Sequence, residues 1–136
     1  MLKVVFIRHA KSRWNQPNLV DYERGVAERG RNDIDKVGKF LKNKQIIPDL
    51  VLSSGANRAL TTAKGISNLC GYRKEIVVKD ELYFGGRDAI LNLLKEMPKE
   101  VKQVFVVFHN PDINEIAIDL LRLETENIPT LGMVFT

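Results

Sequence analysis

Two histidines occur in the chain, in similar settings. His9 follows the apolar run Val4-Val5-Phe6-Ile7 and stands in Arg8-His9-Ala10-Lys11-Ser12; His109 follows Val104-Phe105-Val106-Val107-Phe108 and precedes Asn110-Pro111. A third apolar segment, Asp49-Leu50-Val51-Leu52-Ser53, runs into Ser54-Gly55-Ala56-Asn57-Arg58. Parallel strands covered on both faces read as such continuous apolar runs, and ligands bind beyond their carboxyl ends. The three segments therefore carry His, Arg and His to one crevice, with Arg8 as a further cation. That set suits phosphoryl transfer. The group in flight spreads negative charge over three oxygens, and the protein mainly positions and neutralises it. Forked guanidiniums match that geometry better than ammonium groups. A neutral imidazole, with a reference pKa of about 6.5, is a competent nucleophile near neutrality. Two arginines and a second histidine supply the positive charge, so no metal ion or other cofactor is expected. His9 and His109 also lack metal-type ligand spacing.

The elements that must position these residues alternate between strand and helix. Residues 2–7, 49–53, 75–78, 103–108 and 131–135 read as strands. Residues 31–44 carry Ile34, Val37 and Leu41 at helical spacing, with Lys36, Lys39, Lys42 and Lys44 opposite. A second helix runs to about residue 69, capped by Ser54 or Gly55, with Ala59, Leu60, Ala63 and Ile66 inward; Gly71 ends it. A third covers 87–97 through Ile90, Leu91 and Leu94. A fourth begins with Asn110 as cap and Pro111 in its first turn, and turns Ile113, Ile116, Ala117, Leu120 and Leu121 inward. Residues 8–30, with Pro17, Gly25 and Gly30, form a long loop of the kind that usually carries function. The alternation predicts an α/β sandwich on a largely parallel sheet. No repeat or linker divides residues 1–136, so one domain is expected.

Composition narrows the function classes. With 44% hydrophobic and 28% charged residues, the chain is an ordinary globular sequence. Its apolar runs are far shorter than the roughly 20 residues of a membrane span. The opening Met1-Leu2-Lys3 leads directly into an apolar run, unlike a secretory signal, and the single Cys70 forms no internal disulfide. A cytoplasmic protein is expected. Residues 1–70 hold 13 basic and 6 acidic side chains, residues 71–136 hold 8 and 11. The basic surplus reads mostly as a solvated helix face. Ten aromatic residues with no basic–aromatic interleaving speak against nucleic acid.

Beyond these features, the motifs resemble those of the histidine phosphatase superfamily, related to phosphoglycerate mutase. Arg8-His9-Ala10-Lys11-Ser12-Arg13-Trp14-Asn15 is similar to its Arg-His signature in the form found in small SixA-type phosphohistidine phosphatases. Asp21-Tyr22-Glu23-Arg24, Glu28-Arg29-Gly30, Ser53 to Ala63, Glu81-Leu82-Tyr83 and Phe108-His109-Asn110-Pro111 resemble further family segments in collinear order. The resemblance implies a three-layer α/β/α sandwich with a mostly parallel sheet and one antiparallel edge strand. It implies His9 as the nucleophile that becomes phosphorylated, and Arg8 and Arg58 as clamps on the phosphoryl oxygens. His109 would stabilise the transferring group, and Ser12 and Asn15 would occupy phosphate-touching loop positions. Phe108 stands where the family has glycine and Gly25 where it has proline. Relatives usually continue beyond the equivalent of Thr136; without that segment a sheet edge is left open, which pairing with a second copy of the chain would cover.

Larger relatives use a glutamate after the third strand as general acid. Glu81, Asp80 and Asp21 are the candidates here. An alkoxide leaving group is very basic and needs such an acid, whereas imidazole barely does. The leading expectation is therefore a phosphatase for protein phosphohistidine, with a histidine phosphotransfer domain of a two-component relay as partner. A broad-specificity phosphomonoesterase for small phosphorylated substrates, and a phosphate-binding module without turnover, are the alternatives. A mutase is disfavoured, because the insertions that enclose a bisphosphate are missing.

Overall fold

The computed structural model describes residues 2–15, 17–119, 122 and 128–135. Five strands form one sheet: β1 (Lys3–Arg8), β2 (Leu50–Ser53), β3 (Ile76–Val78), β4 (Gln103–Phe108) and β5 (Met133–Phe135). Their spatial order is β3-β2-β4-β1-β5, parallel throughout except for β5, which runs antiparallel along β1. Four helices, α1 (Glu28–Asn43), α2 (Asn57–Cys70), α3 (Arg87–Lys95) and α4 (Asp112–Asp119), cover the two faces.

The period-two alternation of strand side chains makes two cores. Val5, Ile7, Val51, Phe105 and Val107 pack with Ile34 and Leu41 of α1 and Ala59, Ala63 and Ile66 of α2. Val4, Phe6, Leu52, Val104, Val106 and Phe108 pack on the other side with Ile90 and Leu93 of α3 and Ile113, Ile116 and Ala117 of α4. The architecture is thus the expected α/β/α sandwich. Phe108 belongs wholly to the second core, edge-to-face with Phe6 at 6.1 Å, so its ring points away from the strand-end crevice.

Several local details differ from the sequence expectation. Helix α1 starts at Glu28, within the stretch expected to be loop, because the Ala27 carbonyl already accepts the Arg31 amide. Its Gly30 lies where a Cβ would stand 2.5 Å from the Lys11 carbonyl oxygen, so only glycine lets the loop after β1 lie on the helix. The residue capping α2 is Ala56, not Ser54 or Gly55; Ser54 instead accepts the Ala56 amide through Oγ. Arg58 and Thr62 are buried on that helix and Leu60 only half so. Gly71 ends α2 at φ 101°, as its place predicts. On α3, Leu93 is buried in preference to Leu91. The Asn110–Pro111 peptide is cis, and α4 begins at Asp112, with the Pro111 carbonyl accepting the Glu115 amide. Leu120 and Leu121 lie outside the described residues. Among the described residues, no helix is long and apolar enough to cross a membrane.

Candidate active site

Register brings the functional side chains together. Arg8 pairs with Phe108 and Ser53 with Val107, so β1, β2 and β4 end level. The pairing runs one residue further, because His9 donates its amide to the Phe108 carbonyl (3.1 Å) and Ser54 to that of Val107 (3.0 Å). His9 and His109 thus leave adjacent strands side by side, with ring centroids 5.0 Å apart. Arg58 reaches the same place from the first turn of α2. The loop after β1 is tied to that helix by Thr62, whose hydroxyl accepts the Ala10 amide (2.9 Å) and donates to the Arg58 carbonyl (2.7 Å).

His9 Nδ1 lies 2.7 Å from the Ala10 carbonyl oxygen. A carbonyl only accepts, so Nδ1 carries the proton and Nε2 keeps its lone pair. Burial, helped by Arg58, Arg8 and Arg24, pushes the His9 pKa down to about 4 against the Ala10 hydrogen bond. His109 is pushed down to about 3 by burial, then by His9 and Arg58. Its Nε2 lies 2.8 Å from Ser54 Oγ, while its Nδ1 has no partner among the described residues. Both rings are neutral near pH 7.

Two of the arginines converge on one carboxylate. Arg58 donates Nη1 to the Asp21 carbonyl (2.7 Å) and Nη2 to Asp21 Oδ2 (2.9 Å), which also receives the Tyr83 hydroxyl (2.6 Å). Arg24 pairs with Asp21 Oδ1 at 3.2 Å and lies 3.7 Å over the Trp14 ring. Burial works to raise the Asp21 pKa. The hydrogen bonds from Tyr83 and Arg58 and the charges of Arg58 and Arg24 outweigh it, and Asp21 stays below the usual carboxylate range. Arg8 donates to the Ile128 carbonyl (2.6 Å). The Nε donors of Arg8, Arg24 and Arg58 are buried without a partner among the described residues. Arg8, Arg24 and Arg58 all line one cleft, and three guanidiniums around one opening make it strongly cationic.

That cleft has a volume of about 220 Å³. Arg8, His9, Ser12, Asp21, Arg58 and His109 all line it, so most of the residues singled out in the sequence come together. Asn15 does not: it is exposed, in a neighbouring depression that shares Ser12 and Trp14. Asp80 and Glu81 do not either. Both are exposed on the 3₁₀ turn Asp80–Leu82, outside the cleft, because that turn buries Leu82 instead. Sequence reasoning passed over Ser54, Arg24, Tyr83 and Phe84. The first three sat inside the quoted family segments, but nothing in their spacing tied them to the site. Phe84 had no signal of its own. Both rings after that turn face His109, Tyr83 edge-on at 5.4 Å and Phe84 tilted by 34° at 4.9 Å.

The chain is similar to known proteins in sequence and in fold. The family model of the histidine phosphatase superfamily (branch 1) matches residues 4–83. The crystal structure of the putative phosphohistidine phosphatase SixA from Agrobacterium tumefaciens superposes with a TM-score of 0.87 at 29% identity, covering 98% of this chain and 90% of that one. A protein histidine phosphatase SixA complexed with tungstate also gives 0.87, at 21% identity over 98% of this chain and 86% of that one, a likeness of fold. Phosphoglycerate mutase 1 of Saccharomyces cerevisiae is 36% identical over 67 residues, 46% of this chain and 26% of that protein. The matched stretch is therefore about a quarter of that relative.

Proposed function

Since the chain belongs to the histidine phosphatase superfamily (branch 1), we propose that it is a phosphatase that works through a phosphorylated His9 and removes phosphate from protein phosphohistidine. Neutral His9 attacks phosphorus with the Nε2 lone pair while Nδ1–H stays on the Ala10 carbonyl. The bond from phosphorus to the substrate ring breaks, and its electron pair becomes the lone pair of the leaving imidazole. That ring, protonated at its remote nitrogen, departs neutral. Water then attacks phosphorus, the bond to Nε2 breaks, and phosphate leaves. Arg8 and Arg58 neutralise the equatorial oxygens, and His109 faces the reacting group from the other side. No metal or other cofactor is required by this sequence of steps.

One observation carries the choice of substrate. Among the described residues, Asp21 is the carboxylate that lines the cleft, and two guanidiniums and a phenol hold it ionised. Asp80 and Glu81 stand outside. A carboxylate kept ionised is a poor proton donor, so the site suits a leaving group that needs no donor, imidazole rather than an alkoxide. The small cleft agrees. Sites that enclose a whole small molecule span about 300–1,000 Å³, so about 220 Å³ suits a phosphorylated side chain presented by a protein. A histidine phosphotransfer domain of a two-component relay is the partner of that chemistry.

The test is hydrolysis of a phosphohistidine protein beside p-nitrophenyl phosphate and phosphoserine, in EDTA, for the native protein and His9→Ala, with folding checked by circular dichroism. Turnover of phosphohistidine in preference to the esters, lost in the variant, is expected. Equal or better ester hydrolysis would replace this conclusion with a small-molecule phosphomonoesterase. Phosphate binding without any turnover would leave a binding module.

A further inference from the structure

Phe84 is unusual in both backbone and exposure. It is an aromatic residue at φ 58°, in the left-handed region that bulky side chains rarely enter. The residue is 48% exposed, so core packing does not hold it there. Strained backbone persists where the surrounding structure enforces it and clusters at functional sites. The surroundings here are specific. Tyr83 contacts the ring at 4.7 Å, and the Gly85 amide donates to the Glu81 carbonyl (3.0 Å). A Cβ at Gly85 would stand 2.1 Å from that oxygen, so the turn closes only with glycine. The turn delivers an exposed phenyl face to the cleft wall beside His109.

Resting on the phosphatase activity proposed above, we infer that Phe84 is a specificity-determining residue whose ring stacks on the imidazole of the incoming phosphohistidine. The phosphoryl group is drawn to His9 and the arginines. The substrate ring, one bond from phosphorus, then lies outward of that cradle, where Phe84 lines the wall. A planar imidazole gains from an aromatic face there, and a phosphorylated nitrogen without a ring gains nothing.

The experiment compares a phosphohistidine peptide with phosphoramidate, which has the same phosphorus–nitrogen bond but releases ammonia. The ratio of the two kcat/KM values is measured for native protein, Phe84→Ala and Phe84→Trp. Aromatic pairing of this kind is worth about two- to tenfold. The ratio is expected to fall by about that factor in Phe84→Ala, chiefly through KM for the peptide, and to be restored in Phe84→Trp. A proportionate loss on both substrates, or an unchanged ratio, overturns the stacking role while leaving the phosphatase intact. Absence of turnover of either substrate by native protein overturns the phosphatase itself, and this inference with it.

Discussion

Acidification tests the electrostatics of the cleft directly, because the chain's two histidines both lie in it. Folded, they titrate at about 4 (His9) and about 3 (His109); unfolded, near the reference value of about 6.5. A depressed folded pKa means that the unfolded chain binds protons first. Stability is therefore complete above about pH 6.5 and is lost as pH falls toward the folded values. Between about pH 6.5 and about pH 4.5 each histidine removes about 2 kcal/mol, some 4 kcal/mol together. With a urea slope of about 1–3 kcal/mol per molar, the denaturation midpoint drops by about 2 M. Urea titrations followed by helical circular dichroism at several pH values across that window measure it. The His9→Asn/His109→Asn double variant removes both groups, and its midpoint should stay nearly flat. The carboxylates of Asp21 and Asp49 are held below their usual range and enter at lower pH. A native midpoint that does not move, or a double variant that keeps the native slope, would refute the claim that the cleft holds both rings neutral.

Further outcomes follow from the same geometry. Arg58→Ala lowers phosphohistidine kcat by about 10²–10³-fold, the usual effect of losing one preorganised donor to a transition-state anion, measured by phosphate release. Asp21→Asn costs far less than the roughly hundredfold or more of a lost general acid; a larger drop in kcat with a lost pH limb would restore Asp21 as proton donor. Tungstate or phosphate at a hundredfold excess over its Kd stabilises the native protein by about 2.7 kcal/mol, read as a rise in Tm that Arg58→Ala abolishes. Phe108→Ala costs about 3–5 kcal/mol in urea denaturation by emptying the core beside Phe6, and the folded fraction keeps its kcat.

Much of the site was legible because it follows from strand ends. Val4–Ile7 and Val104–Phe108 are apolar enough to mark buried parallel strands, and the one or two residues that follow each run lie at the carboxyl edge. His9 and His109 needed no more than that. Arg58 needed only the turn after β2 and a helix start. The family resemblance pointed to Asp80 and Glu81 after the third strand, and neither lines the cleft. There the chain makes a tight 3₁₀ turn that buries Leu82 and sends Tyr83 and Phe84 toward the cleft. Tyr83 finds Asp21 across 62 positions of sequence, and such a pairing leaves no local periodicity. The start of α1 was hidden because Gly30 reads as a loop residue, whereas close contact with Lys11 is what requires it.

The central claim is a phosphoryl group carried on His9. A single turnover with a phosphohistidine peptide, quenched in alkaline denaturant that preserves the phosphorus–nitrogen bond and mapped by mass spectrometry, tests it most directly. The expected result is one phosphoryl group on the peptide containing His9, formed and lost at rates consistent with turnover and absent from His9→Ala. Turnover with the phosphoryl group on another residue, or undiminished turnover by His9→Ala, would contradict it.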